Sequence, residues 1–210
     1  MNDNAAIDGR SGEADAATYA IPRYPVHLID VVRVADGTRV TIRPTLPQDM
    51  ALQRAFFRAL SGEARHSRFM TRLDELPEAL AERFANVDHC AHVALLAEVF
   101  EDGRETMIGE ARYVVDEHDP TTCELAIAVA DAWHALGIAR ALLDRLERQA
   151  RASGIRRMVG DTLISNQAMM GLARRAGYAV TASRDDPTLA RLEKCLNPPG
   201  VPLALRPLAA

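Results

Sequence analysis

The stretch Cys123 to Leu143, C-E-L-A-I-A-V-A-D-A-W-H-A-L-G-I-A-R-A-L-L, constrains the fold more than any other part of the chain. An apolar strand runs through a tight turn into an amphipathic helix whose first turn carries no bulky charge before Arg140. Such a helix start leaves main-chain amides without carbonyl partners, and the positive end of the helix dipole adds to their pull on an anion. Gly137 and Ala139 keep side chains out of the way, so phosphate oxygens can approach the amides closely. A strand ending at such a cradle predicts a phosphate-bearing cofactor laid along a sheet edge. Neither G-x-G-x-x-G nor G-x-x-x-x-G-K-[ST] occurs, so the dinucleotide and P-loop versions of the cradle do not apply.

The remaining elements alternate without repeats. Strands at 29–34 and 38–42 flank Asp36-Gly37, a hairpin signal. Pro47 opens a helix in which Leu52, Phe56, Phe57 and Leu60 recur at helical spacing, a stripe read as core, and a second helix follows Pro77 through Leu80 and Phe84. Runs at 93–100 and 106–115 form a second hairpin, and 124–129 supplies the next strand. The cradle helix ends near Ala152 at Ser153-Gly154. A strand at 158–163, a helix from Asn166 to Ala176 closed by Gly177, and strands at 178–181 and 189–195 complete the pattern. The expectation is an α/β (α+β) fold with a mixed, mostly antiparallel central sheet flanked by helices. Residues 1–20 combine small and acidic residues and read as a disordered tail, 21–197 as one domain, and 198–210 as a Pro-rich tail.

Composition excludes several classes. The formal net charge of −4 argues against a nucleic-acid binder, which would show a basic face. There is no signal-peptide pattern and no apolar run long enough to span a bilayer, so a cytoplasmic protein without a membrane partner is expected. Cys90, Cys123 and Cys195 are odd in number and widely spaced, which suits a reducing compartment. His89-Cys90-x-His92 lacks a second close ligand pair, so no metal site is expected. Cys123 next to Glu124 could be imagined as a nucleophile, but neighbours on a strand point to opposite faces.

His134-x-x-Gly137-x-Ala139 resembles the acetyl-CoA signature of the GNAT family of N-acetyltransferases, with His where members usually carry Gln or Arg. From about Tyr24 to Leu196 the resemblance is to the catalytic domain of bacterial protein-lysine acetyltransferases. It rests on Val40-Thr41-Ile42-Arg43-Pro44, Pro47-x-Asp49, Phe56-Phe57-x-x-Leu60-Ser61, Arg65-x-x-Arg68-Phe69 and Val93-Ala94-Leu95-Leu96-Ala97. Asn166-x-x-Met169-x-x-Leu172-Ala173-x-x-Ala176-Gly177-Tyr178 is similar to the family's last conserved helix. Many members carry a tyrosine acid seven residues after that Asn; here the position is Ala173. Larger relatives add a nucleotide-sensing or synthetase-like domain, for which this chain has no room, so regulation in cis is not expected.

The resemblance implies acetyl-CoA as co-substrate and Glu124 as the catalytic carboxylate. An amine of pKa near ~10.4 costs roughly 4 to 5 kcal/mol to deprotonate at neutral pH, which a base must supply. Glu124 would serve if desolvation among Leu125, Ala126 and Ile127 raised it, and would be structural if it faced solvent or paired with Arg112. Ile127 and Val129 would lie along the pantetheine arm, with a free amide near Val129 polarising the thioester carbonyl. His134, Ala135, Leu136, Gly137, Ile138, Ala139 and Arg140 would hold the pyrophosphate. His134 could equally line the turn. Asn166 would bond the pantetheine or serve as a helix N-cap. Arg145, Arg148 and Arg151 read as a solvated face, and so do Arg65, Arg68 and Arg72, although these three could draw in an acidic acceptor. The acceptor is a primary amine, either a protein lysine or a small amine or polyamine. An acyl-CoA-binding regulatory module without turnover is the reading from another class, and a homodimer is left open.

Overall fold

The computed structural model describes residues 24–101 and 103–196. The expected terminal tails therefore lie outside the described residues. Strands β1 (Asp30–Arg33) and β2 (Arg39–Pro44) form the first hairpin, with Gly37 at φ +89° supplying the left-handed turn. Helices α1 (Met50–Ala59), α2 (Gly62–Phe69) and α3 (Glu78–Ala85) follow. Next come β3 (His92–Glu101), β4 (Arg104–Val115), β5 (Thr122–Val129), α4 (Ile138–Ala152), β6 (Arg157–Leu163), α5 (Gln167–Arg175), β7 (Ala179–Ala182) and β8 (Leu189–Cys195).

The strands make one eight-stranded sheet in the order β1-β2-β3-β4-β5-β6-β8-β7. Every neighbouring pair is antiparallel except β5 and β6. The mixed, mostly antiparallel sheet expected from the sequence is thus the one observed. On one face α4 buries Ile138, Leu142, Leu143, Leu146 and Ala150 against Leu95, Ile108, Ala111 and Leu125. On the other, Phe56 of α1 and Leu60 at its C-cap pack with Leu96, Met107 and Ala130, which makes the aromatic stripe core as expected. Removing each of the Ile, Leu, Phe and Met side chains among them from water contributes roughly 1.5–3 kcal/mol.

Two buried charge groups tie elements together. Arg43 on β2 forks onto Asp49, with Nη1 and Nη2 donating over 2.7 and 2.8 Å, and Asp49 also accepts from the Leu46 amide. In α4, the buried Glu147 receives Lys194 of β8 at 2.6 Å and Arg151 at 3.0 Å. Arg151 also donates to the Leu196 carbonyl, and Arg145 pairs with Asp30. The solvated face expected of Arg145 and Arg151 is therefore corrected: both reach back to neighbouring strands, as long stems can when a carboxylate or carbonyl lies in range. Among the described residues no helix is long and apolar enough to cross a membrane.

Candidate active site

Strands β5 and β6 pair only at Thr122–Arg157, Cys123–Met158 and Glu124–Val159, and then part. Gly160 stands where they separate; a Cβ there would come within 3.1 Å of the Leu125 carbonyl oxygen. The Asp116 amide donates to the Thr122 carbonyl and the Ala130 amide to the Ile108 carbonyl. In an antiparallel ladder the bonded residues alternate, so even-numbered β5 residues aim their main chain at β4. Ile127 and Val129, beyond the last β5–β6 pair, consequently turn N–H and C=O groups into the cleft that β6 has left. Donors aimed at a cleft with no strand to take them are suited to an extended, amide-bearing ligand.

The cradle sits at the far end of β5, with one departure from expectation. The strand does not pass directly into the helix: a 3₁₀ turn, Asp131–Trp133, intervenes, and Ala135 then takes a positive φ of 61° before Gly137 at φ +89° caps α4. Among the described residues the amides of Ala135, Leu136, Gly137, Ile138, Ala139 and Arg140 have no hydrogen-bond acceptor, whereas Ala141 bonds the Gly137 carbonyl. Six free amides beside a helix N-terminus form an anion site made of main chain.

Two side chains expected at the diphosphate point elsewhere. The His134 Nε2 lies 2.9 Å from the Val129 carbonyl oxygen and donates to it, so the ring lines the turn and occupies that carbonyl. Val129 keeps only its N–H for a ligand. The Arg140 guanidinium pairs with Asp144 at 2.9 Å and donates to the Arg175 carbonyl at 3.0 Å. Asn166 is an N-cap, its Oδ1 accepting from the Met169 amide at 3.0 Å. Its Nδ2 has no acceptor among the described residues, and the residue lines the cleft.

Glu124 is exposed on the face of the sheet that bears α1 to α3, and Cys123, its neighbour, is buried on the other. Burial pushes the Cys123 thiol up to about 12, which leaves it a poor nucleophile. Glu124 stands exposed, so the apolar enclosure expected around it is not supplied by the protein alone. It does not pair with Arg112, which is taken by Glu110. Glu124 instead lines a groove of about 80 Å³, open to solvent, together with Arg68 of α2, Met70 just past its end, Asp161 and Thr162 of β6, and Asn166. Asp161 is held by Arg191 at 2.7 Å.

The wall beside this groove was not anticipated. The whole of α2 falls in a segment whose conformation the sequence did not give, and it is capped by Ser61, whose Oγ accepts from the Ala64 amide. Ser61 also donates its N–H and its Oγ–H to Asp131, each at 2.9 Å, which ties α2 to the turn preceding the cradle. Arg68, expected on a solvated face, is instead largely covered, its side chain 10% exposed: its Nη2 lies 3.0 Å from Glu110 Oε1. Glu110, 5% exposed, receives Arg112 Nη2 on its other oxygen at 2.6 Å. Arg112 lies 3.7 Å over the Phe84 ring and donates to His92 Nε2. Burial pushes the Glu110 carboxyl up, but Arg112 and Arg68 outweigh it and hold the group at about 2. His92 is driven down to about 4, first by burial and then by Arg112. Among the described residues no group of three His, Cys, Asp or Glu is placed to hold a metal.

A sheet that parts beside a helix-start anion cradle, with a carboxylate in the opening, defines an acyl-CoA N-acyltransferase architecture, and comparison with known proteins agrees. Residues 54–178 match the acetyltransferase (GNAT) family. Acetyltransferase PA5475 of Pseudomonas aeruginosa is 33% identical over 153 residues, covering 73% of this chain and 82% of that one. Acetyltransferase Pat of Mycolicibacterium smegmatis is 29% identical over 146 residues, covering 70% of this chain, which spans 43% of Pat's length. Among solved structures, the GNAT domain of S. lividans PAT superposes with a TM-score of 0.75 at 28% identity, covering 82% of this chain and 99% of that one. The chain belongs to the acetyltransferase (GNAT) family and is an N-acetyltransferase.

Proposed function

We propose that this chain transfers the acetyl group of acetyl-CoA to a primary amine, the side chain of a protein lysine, by direct attack with Glu124 as general base. The observation that carries the reading is the continuity of the opening: the free amides at 135–140 lie at one end of β5, and Glu124 lies at the other, where β6 departs. A neighbouring solved structure, yncA of Salmonella typhimurium, is described with its cofactor acetyl-CoA; at 22% identity and a TM-score of 0.58 it supports the fold. Acetyl-CoA would place its diphosphate on the cradle and its pantetheine arm against Ile127 and Val129. The free Val129 amide would polarise the thioester carbonyl. Bound cofactor would also cover the cleft, providing the desolvation of Glu124 that the protein alone does not.

The acceptor reaches Glu124 from the α2 side. Glu124 and Asp161 share that sheet face and give the groove carboxylates that suit a cationic amine. Protein lysine is preferred for the likeness of the Arg43-Pro44, Phe56-Phe57 and Asn166 segments to the protein-lysine branch, and an acceptor groove open to solvent suits a side chain presented on a large partner. The three free thiols fit the reducing cytoplasm. The test is thiol release from acetyl-CoA with purified chain, offered lysine-bearing proteins, lysine peptides and polyamines, for native and Glu124→Gln protein. Transfer to protein lysines, lost in the variant, is expected. Transfer to polyamines alone would reassign the acceptor, and coenzyme A binding without turnover of any amine would make the chain a binding module.

A further inference from the structure

With Glu124 assigned to the nucleophile, nothing yet meets the sulfur that leaves. Seven residues after Asn166 stands Ala173, 1% exposed in the core, and the Tyr178 hydroxyl is turned to the Met158 sulfur at 3.0 Å. Thr162 is differently placed. It lies on β6 three residues past the last β5–β6 pair, in the groove shared by Glu124 and Asn166. It is 2% exposed, and its Oγ1 has no hydrogen-bond partner among the described residues. A buried hydroxyl without a partner costs about 1–3 kcal/mol, so such a group in a binding cleft calls for a ligand atom to satisfy it.

The strand register says which ligand atom. Alternation along β6 puts Thr162 on the same face as Met158 and Gly160, opposite to Asp161. The parallel register set by Glu124 and Val159, carried forward, brings Thr162 level with Ile127 across the opening. Glu124 and Asp161 therefore look toward one face of the sheet, and Thr162 toward the other, together with Ile127.

We propose that the Thr162 hydroxyl donates a hydrogen bond to the thioester sulfur of the bound acyl-CoA as that sulfur departs. The assignment rests on the acetyl-transfer reading above. In the step, the amine nitrogen bonds to the acyl carbon and its proton passes to Glu124. The carbon–sulfur bond breaks with its electron pair going to sulfur, and coenzyme A leaves as a thiolate. Thr162 keeps its proton and offsets part of the new charge through the hydrogen bond.

The test compares native chain with Thr162→Val and Thr162→Ser, measuring turnover and, by calorimetry, affinity for coenzyme A and for desulfo-coenzyme A, which lacks the sulfur. Thr162→Val is expected to lower kcat about tenfold and to weaken coenzyme A several-fold, since a lost hydrogen bond of ~1.4 kcal/mol is a factor of ten. Affinity for the desulfo analogue should stay unchanged, and Thr162→Ser should retain native behaviour. A Thr162→Val protein with kcat within about twofold of native, or one that loses both ligands equally, overturns the proposal. If the native chain turned over no amine, the acetyl-transfer reading would fall, and the paired affinities would still decide for or against the contact with sulfur.

Discussion

The two walls of the cleft are built from different materials. The cradle at 135–140 is main chain: its donors are amides, and the side chains nearby, His134 and Arg140, are engaged with Val129, Asp144 and Arg175. The acceptor wall is side chain: the half-buried Arg68 and the buried Glu110 and Arg112 form a charged triad under Phe84, and α2 is held over the groove by it. Main-chain donors survive most substitutions and accept one ligand chemistry. A wall of paired charges changes with a single residue, so acceptor choice can diverge while the cofactor stays the same.

The largest expected effect separates chemistry from binding. Glu124→Gln should lower kcat by about 10²- to 10⁴-fold and leave coenzyme A affinity unchanged, measured by thiol release and calorimetry. Parallel losses in both would merge the two walls into one. On the acceptor wall, Glu110→Gln leaves two guanidiniums facing a neutral amide in the interior. Denaturant unfolding should register a loss of about 3–5 kcal/mol. On the cradle, Gly137→Val forces a β-branched residue to φ +89° and should weaken coenzyme A by about tenfold or more with a smaller change in stability.

The triad also sets a pH response. His92 is held below its ordinary value of 6.5, at about 4, so the unfolded chain binds more protons between those limits and stability falls as pH drops through that window. Glu110 is held below its ordinary value of 4.5, at about 2; its contribution is complete above 4.5 and is lost as pH falls toward 2. Unfolding followed against pH should show both slopes, and His92→Gln should remove the upper one alone. The smallest effect belongs to Arg140→Ala, which should change coenzyme A affinity by less than about threefold because the guanidinium already serves Asp144 and Arg175.

What the sequence disclosed follows the same division. The order of the strands, the helices other than α2 and the end of α4 at Ser153-Gly154 are local properties of periodicity and turn chemistry, and they stand in the structure as read. The acceptor wall depends on contacts between distant residues. Arg68 reads as a solvated residue until Glu110, 42 positions away, is brought beneath it. Helix α2 has few apolar positions and no clear periodicity, and its one local signal was Ser61 followed by Glu63 as cap and first-turn acid. Thr162 was legible only as one more polar residue beside Asp161 at the end of its strand. The ring of His134 could not be aimed from sequence, because its partner is the carbonyl of a strand residue freed by the parting of β5 and β6.

The central claim is that one ligand spans the opening from the free amides to the carboxylate. It is tested most directly by a crystal structure of the chain with coenzyme A. The account predicts diphosphate oxygens within hydrogen-bond distance of the amides between Ala135 and Arg140, the pantetheine arm along Ile127 and Val129, and the sulfur in the cleft between β5 and β6. A coenzyme A whose diphosphate lies away from the start of α4, or whose sulfur lies outside that cleft, would contradict it.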